Sequence, residues 1–420
     1  MAKQVVIVGG GFAGISAAKK LASANFSVTI IDKTNHHLFQ PLLYQVATAA
    51  LSPGDIAMPI RAIFSKQKNV EVVLGEVDAI DKVQRRVQLK SGAYYPFDYL
   101  VLASGAQYNY FGNDDWKKYA PGLKTLSDAL DIRERILLSL EKAEQIIDPS
   151  KRKPYLTYVV IGGGPTGVEM AGSIAEIAKR SMMRDFRNIQ PNETKIYLIE
   201  AAGGILNGFE QPLPEKGLKT LEDMGVEVIL NSPVQEIRKN GVQIEDTFIE
   251  TPNIIWGAGV AASPLIQKLG IETDRMGRAM VEADLSIPGD PAIFVAGDAA
   301  HVKDKNGVPL PGLAPVAMQQ GKYVGNLIRN ETMASSNRTA FKYVDKGTMA
   351  TIGRAKAVAD IRGFKFSGFF AWLLWGLIHI FFLIGFRNRF RVFAEWTWHY
   401  ITFKRGVRLI AKKDEEEDVL

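Results

Sequence analysis

A chain of 420 residues, 47% hydrophobic and 23% charged, is long enough for two or three domains with ordinary cores and lies outside the disordered, collagen-like and disulfide-stapled classes. It contains no cysteine, which excludes disulfides, thiolate or iron–sulfur ligation and any dithiol couple, so redox chemistry here requires a bound organic cofactor. The net charge of +6 is too small to argue for nucleic acid, and no metal site is expected.

At the N-terminus, Val5 to Val8 run directly into glycines, without a basic segment, apolar core and cleavage site, and the body of the protein is expected in the cytoplasm. Gln4 to Val8 reads as a buried strand, Gly9 to Gly14 as a turn, Ile15 to Ala24 as a helix and Ser27 to Ile31 as a strand ending at Asp32. A second such unit begins 153 residues later, from Gly9 to Gly162. It comprises strand Tyr158 to Ile161, a turn from Gly162 to Gly167, a helix from Val168 to Lys179 and strand Lys195 to Ile199 ending at Glu200.

Between the two units, Val70 to Val77, Val87 to Leu89 and Tyr99 to Ala103 have strand character. Thr125 to Asp128 opens an amphipathic helix carrying Leu130, Ile136, Leu137, Leu140 and Ile147 on one side, and Asp148 to Pro154 reads as a linker. Ile254 to Trp256 and Ala292 to Val295 are further buried strands, followed by the turns Gly257-Ala258-Gly259 and Ala296-Gly297-Asp298. The fold class is α/β, with two Rossmann-like dinucleotide-binding domains and a C-terminal membrane-anchoring helical segment. The expected boundaries are 1–118 with 270–330, then 119–269, then 331–420.

In Gly9-x-Gly11-x-x-Gly14 the first glycine permits the turn, the second lets a pyrophosphate approach the backbone and the third packs helix on strand. Asp32 ends the next strand, where a ribose hydroxyl pair would sit. Gly162, Gly164, Gly167 and Glu200 repeat this logic, so one site is read as FAD-binding and the other as binding a nicotinamide nucleotide. Glu200 would face the 2′-phosphate of NADPH. Like charges ~4 Å apart repel by about 4 kcal/mol at an effective dielectric of 20, which favours NADH. The alternative is a solvated strand end. Glu169, two residues beyond Gly167, is either a first-turn carboxylate stabilised by the helix dipole or a proton relay beside the flavin. Asp298 either accepts from a ribityl hydroxyl or stabilises its turn.

The C-terminal eighth concentrates charge and aromatics: Arg362 to Lys413 carries ten Lys and Arg opposed by Glu395 alone, and four of the six Trp. Phe366 to Phe386 is 21 residues without a charge, long enough to span a bilayer. A span would leave Arg387, Arg389, Arg391, Lys404, Arg405 and Arg408 on the far side, against the positive-inside tendency. Interleaved Gly368, Gly376, His379 and Gly385 fit better with two helices lying in the membrane interface. A dimer interface is the remaining use of this surface. Asp414 to Asp418 reads as a solvated tail.

These motifs, with the segment His37 to Ala47, Met349 to Arg354 and the basic aromatic tail, give the chain a whole-length resemblance to the type II NADH:quinone oxidoreductases. The resemblance implies a membrane-surface flavoenzyme on the cytoplasmic face that passes hydride from NADH to non-covalent FAD and two electrons to a membrane quinone, without pumping protons. It implies FAD contacts at Gly9, Gly11, Phe12, Ala13, Gly14, Asp32, Lys33, Val77, Gly105, Asp298 and Ala314. NADH contacts would be Gly162, Gly164, Thr166, Gly167, Glu200 and Gly259, and Glu169 matches the family's proton-transfer glutamate. The family's quinone motif falls on Ala314, Pro315 and Gln319, with Pro315 where the family has its first Gln. Competing readings are an NADH-dependent flavin reductase of a soluble electron-transfer protein and a non-catalytic NADH-binding membrane sensor.

Overall fold

Val5, Val6, Ile7 and Val8 are all buried, as a parallel strand covered on both faces requires. They belong to β1 (Lys3–Val8) in a computed structural model that describes residues 2–22, 24–178, 185–330, 338–402 and 405–410. After it come α1 (Phe12–Leu21), β2 (Phe26–Asp32), α2 (Leu43–Ala47), β3 (Val70–Leu74), β4 (Val77–Asp81), β5 (Tyr99–Leu102) and α3 (Leu126–Gln145). The second nucleotide fold supplies β6 (Thr157–Ile161), α4 (Pro165–Glu176), β7 (Lys195–Ile199), α5 (Leu213–Asp223), β8 (Glu227–Ile229) and β9 (Asn253–Trp256). The chain continues through β10 (Ser286–Ile287), β11 (Asp290–Val295) and α6 (Ala314–Arg329) to β12 (Thr348–Gly353), β13 (Lys356–Ile361), β14 (Phe364–Ser367), α7 (Phe369–Phe382) and α8 (Phe386–Thr402).

Residues cluster into two units: 1–38, 57–107 and 260–345 in one, 39–56, 108–259 and 346–420 in the other. The first is built on a six-stranded sheet in the order β10-β11-β5-β1-β2-β3, parallel except where β10 meets β11. Strand order reverses at β1, flanked by β2 and β5, which places the ligand crevice beyond the carboxyl end of β1. The second is built on a parallel sheet in the order β8-β7-β6-β9, with the reversal at β6, and carries the antiparallel sheet β12-β13-β14.

The structure corrects several expectations. Helices α1 and α4 start three residues early, because Gly11 and Gly164 are their N-caps and the glycine loop feeds straight into the first turn. The strand expected over Val70 to Val77 breaks at Gly75, and its halves join different sheets. Thr125 and Asp128 do form a capping box, but Ile147 lies beyond the helix and is exposed. Asp148 to Pro154 is not an open linker: Asp148 caps a short helix, and the buried Arg152 pairs with Glu193 at 2.7 Å. An unexpected β-sheet over residues 348–367 precedes the two expected C-terminal helices, α7 and α8, and residues 346–420 cluster with the second nucleotide unit because β12 packs on α4. Lys179, Lys404 and the acidic run from Asp414 to Asp418 lie outside the described residues.

Candidate functional site

The first glycine loop is fixed by steric necessity. Gly9 has φ +109°, and a Cβ on Gly14 would stand 1.9 Å from the Gly9 carbonyl oxygen, so the start of α1 closes directly onto the turn. A Cβ on Gly11 would meet nothing within 4 Å, which leaves the approach to the helix N-terminus open. Asp32 turns back into this loop: one carboxylate oxygen accepts from the Gly10 N–H, and the other from the Thr34 N–H and hydroxyl at 2.6 and 2.7 Å. His37 holds the other side of Gly10, donating from Nδ1 to its carbonyl at 2.9 Å. Burial lowers the His37 pKa, so the ring is neutral, and Phe12 packs edge-on against it at 5.0 Å. An open approach to the N-terminus of α1 and a carboxylate at the end of β2 fit FAD.

The other expected flavin contacts are spread through the same unit. Val77 is buried in the core, Lys33 is exposed, and the Gly105 carbonyl accepts from the Ser263 N–H at 3.0 Å. Asp298 is half-buried beside Gly312. Helix α6 begins at Ala314 and Pro315 and reaches this turn through Gln320, whose side-chain oxygen accepts from the Gly297 N–H at 2.6 Å. Gln319 is engaged elsewhere: its amide donates to the Val344 carbonyl at 2.9 Å and accepts from the Val344 N–H at 3.0 Å.

The second loop repeats the first. A Cβ on Gly167 would stand 1.8 Å from the Gly162 carbonyl oxygen, and Gly164 is as open as Gly11. Glu200 occupies the place of Asp32, accepting from the Gly163 N–H and, at 2.8 Å, from the Ala202 N–H. Thr166 hydrogen-bonds the Tyr108 hydroxyl, and Gly259 lies under the Phe111 ring.

Glu169 is the chemically distinctive group of this unit. The early start of α4 puts it in the second turn rather than the first, beyond the strongest part of the dipole. A dipole role would depress its pKa, whereas desolvation pushes it up to about 8 against a hydrogen bond from the Thr351 main chain. Tyr44, on α2, is buried beside it, and its hydroxyl lies 2.9 Å from Thr351 Oγ1. Burial, and next the nearby Glu169 carboxylate, raise the Tyr44 pKa, so Tyr44 stays neutral. Seven residues further along α4, Glu176 accepts from the Arg354 N–H and pairs with Arg405 at 3.1 Å. The Arg405 side chain is 2% exposed and also donates to the Thr48 carbonyl. Arg405 is therefore a buried clamp and not the lipid-facing cation that its place in the basic tail implied.

Residues 3–321 match the family described as pyridine nucleotide-disulphide oxidoreductase, and residues 346–405 match the NDH2 C-terminal domain. Over 418 residues the chain is 43% identical to the type II NADH:quinone oxidoreductase Ndh of Mycobacterium tuberculosis, covering 96% of this chain and 89% of that one. The chain belongs to the type II NADH:quinone oxidoreductases. A Staphylococcus haemolyticus enzyme of this family is 30% identical over 87% of this chain and 91% of its own length. The fold matches NDH2 from Plasmodium falciparum in complex with NADH, with a TM-score of 0.90 at 22% identity, covering 98% and 100% of the two chains. The Aquifex aeolicus sulfide:quinone oxidoreductase matches at a TM-score of 0.75 and 19% identity, over 92% of each chain. Lacking cysteine, this NADH:quinone oxidoreductase shares the architecture of the disulphide reductases without their dithiol chemistry.

Gln45, Thr48, Glu176, Gln320, Thr351 and Trp396 carry no motif that sequence reasoning attached to the site. Tyr44, Gln45 and Thr351 fall inside the family-like segments, but nothing in their spacing shows that 307 residues of chain bring Tyr44 and Thr351 together.

Proposed function

We propose that Gly9, Gly11, Gly14 and Asp32 hold FAD, with Phe12, Ala13, Lys33, Val77, Gly105, Asp298 and Ala314 around it, and that Gly162, Gly164, Thr166, Gly167, Glu200 and Gly259 hold NADH. The protein oxidises NADH and reduces a quinone, and pumps no protons. FAD, when bound, supplies the two-electron couple that accepts hydride from NADH and passes the electrons on to the quinone. The chain's own work is to bind, orient and manage protons.

The observation that carries the proton assignment is the state of Glu169. With a pKa of about 8 it holds its proton at neutral pH and is poised to lend it when the quinone takes up two protons with its two electrons. Glu176, seven residues on, has an arginine partner and is suited to structure instead. For the quinone we retain Ala314, Pro315 and Gln319 at the start of α6. Gln319 would have to release Val344 to meet a quinone carbonyl, because both ends of its amide are already bonded.

Membrane attachment is assigned to α7 and α8, on the cytoplasmic face. No helix among the described residues is long and apolar enough to cross a membrane. The surface of α8 supports attachment: Phe386, Phe390, Phe393 and Ile401 are 84%, 65%, 56% and 70% exposed at helical spacing.

The test is turnover of the FAD-reconstituted protein with NADH and a soluble quinone analogue. Glu169→Gln should keep FAD and flavin reduction by NADH while slowing quinone reduction about 100-fold or more. Unchanged turnover across the pH range would end the assignment of Glu169.

A further inference from the structure

Trp396 lies on α8, yet its indole reaches the interior of the second unit. Its Nε1–H donates to the Gln45 side-chain oxygen at 2.7 Å, Gln45 Nε2 donates to the Tyr44 hydroxyl at 2.9 Å, and Tyr44 stands 2.9 Å from Thr351 Oγ1. Thr351 in turn hydrogen-bonds Glu169 through its main chain. The direction of these bonds is fixed from the α8 end. An indole N–H can only donate, so the Gln45 oxygen must face Trp396 and its NH2 must face Tyr44. Tyr44 oxygen therefore accepts from Gln45, which leaves its own proton for Thr351. Tyr44, Gln45 and Thr351 are all buried, so a lost partner would be costly. Trp396 is itself seated against Trp375 of α7 at 5.3 Å and over Gly376, where a Cβ would stand 3.3 Å from its ring.

We propose that Trp396, Gln45, Tyr44 and Thr351 are positioning residues for quinone reduction, linking the seating of α8 to the surroundings of the Glu169 carboxyl. The inference rests on the assignment of Glu169 to proton transfer. The network orients and does not conduct, since neither an indole N–H nor a carboxamide relays protons as a hydroxyl does. Its effect is to hold the Thr351 strand on the half-buried Glu169 and to limit the water that reaches it. The other charged or titratable groups packed around α4 are Tyr158 on β6, Arg354 beyond β12, Arg405 beyond α8 and Glu176 on α4 itself. The charged residues of α5, Glu215, Lys216, Lys219, Glu222 and Asp223, are exposed. None of these is changed by substituting Trp396.

The experiment compares Trp396→Phe and Tyr44→Phe with Trp398→Phe, whose ring is on the same helix but 58% exposed, and with Glu169→Gln. The readouts are quinone reduction against pH and the infrared C=O stretch of the protonated Glu169 carboxyl, assigned by its loss in Glu169→Gln. Removing the Trp396 donor or the Tyr44 hydroxyl breaks the network and admits more water, so in both variants the pH step and the infrared titration should move down by about one unit relative to Trp398→Phe. Titrations that coincide with Trp398→Phe overturn the proposal, and an upward move does the same. Tyr44→Phe keeps the ring in place and decides the matter if Trp396→Phe does not fold. A pH step that survives in Glu169→Gln refutes the proton-transfer assignment instead, while the infrared titration still reports on the network.

Discussion

A side-chain carbon on Gly172 would stand 1.7 Å from the carbonyl oxygen of Ile352, so helix α4 and strand β12 meet there backbone to backbone. Glu169 and Glu176, three residues before and four after Gly172, lie on the same helix face and take main-chain N–H groups from Thr351 and Arg354, on either side of Ile352. The strand is thus bracketed by two carboxyls, and only glycine permits the approach. Gly172→Ala must push the strand away, at a cost of about 1–3 kcal/mol. Thermal denaturation should show the loss, and quinone reduction should fall more than flavin reduction by NADH, because Thr351 moves with the strand. An unchanged melting temperature would mean that the contact relaxes without cost.

The same pair of glutamates shows how far sequence alone reaches. Both glycine loops, both terminal carboxylates and nearly every parallel strand were legible, because turn, buried strand and helix follow one another within about 30 residues. What was not legible is set by contacts distant in sequence. Arg405 sits among ten cations in a basic tail and reads as a surface charge, yet it is buried on Glu176. Ile147 has the spacing of a core residue, but α3 ends before it and leaves it exposed. Glu169 reads equally as dipole partner or proton relay until the start of α4 and the half-buried place of its carboxyl beside Tyr44 are seen.

Glu200 accepts from the main chain of Gly163 and Ala202, so its carboxylate is fixed against the glycine loop at the end of β7 and not free in solvent. Glu200→Gln keeps an acceptor and removes the charge that a 2′-phosphate would meet. The ratio of kcat/KM for NADH over NADPH should fall about 10-fold, with the NADH value little changed. Wild-type protein that used both nucleotides equally would show that this carboxylate does not face the ribose.

The pKa of Glu169 makes stability depend on pH with a definite sign. Desolvation raises the folded-state value to about 8 from 4.5, so between these values the folded protein holds a proton that the unfolded chain has lost. Ionisation therefore costs nothing below about pH 4.5 and costs progressively more up to about pH 8. Glu169→Gln escapes that penalty. Its melting temperature should exceed the wild type's at pH 8, by on the order of 2–4 kcal/mol in stability, and approach it at pH 5. A constant difference at the two pH values would mean that Glu169 ionises as freely in the folded state as in the unfolded one.

Arg405 and Glu176 form a buried pair in which each partner has a second bond, to Thr48 and to Arg354. Arg405→Met leaves the Glu176 carboxylate without its cation and should cost about 3–5 kcal/mol. Arg405→Met with Glu176→Gln removes both charges and should recover part of that loss, a non-additivity that denaturant titration of the four proteins measures. Strict additivity would show that the pair is not coupled.

The aromatic surface of α7 and α8 supplies the last prediction. Helix α7 has 14 residues, about 21 Å of helix at 1.5 Å per residue, against a hydrocarbon core of about 30 Å, so it is suited to lying in the interface. Cutting the chain after Asp360 would sever β13, remove β14 and delete Arg405, and would test folding instead of attachment. Serine at Phe381, Phe386, Phe390 and Phe393, which are 56–84% exposed, changes the surface alone. Each buried phenylalanine contributes up to about 3 kcal/mol at a lipid boundary, so the fourfold variant should leave the membrane fraction on flotation while keeping wild-type flavin reduction by NADH. High salt should release the unmodified protein only in part, because it screens Arg387 and Arg391, both exposed, and leaves the apolar insertion untouched. Complete release by salt alone would show a purely electrostatic contact, and a fourfold variant that still floats with membranes would place the attachment elsewhere on the chain.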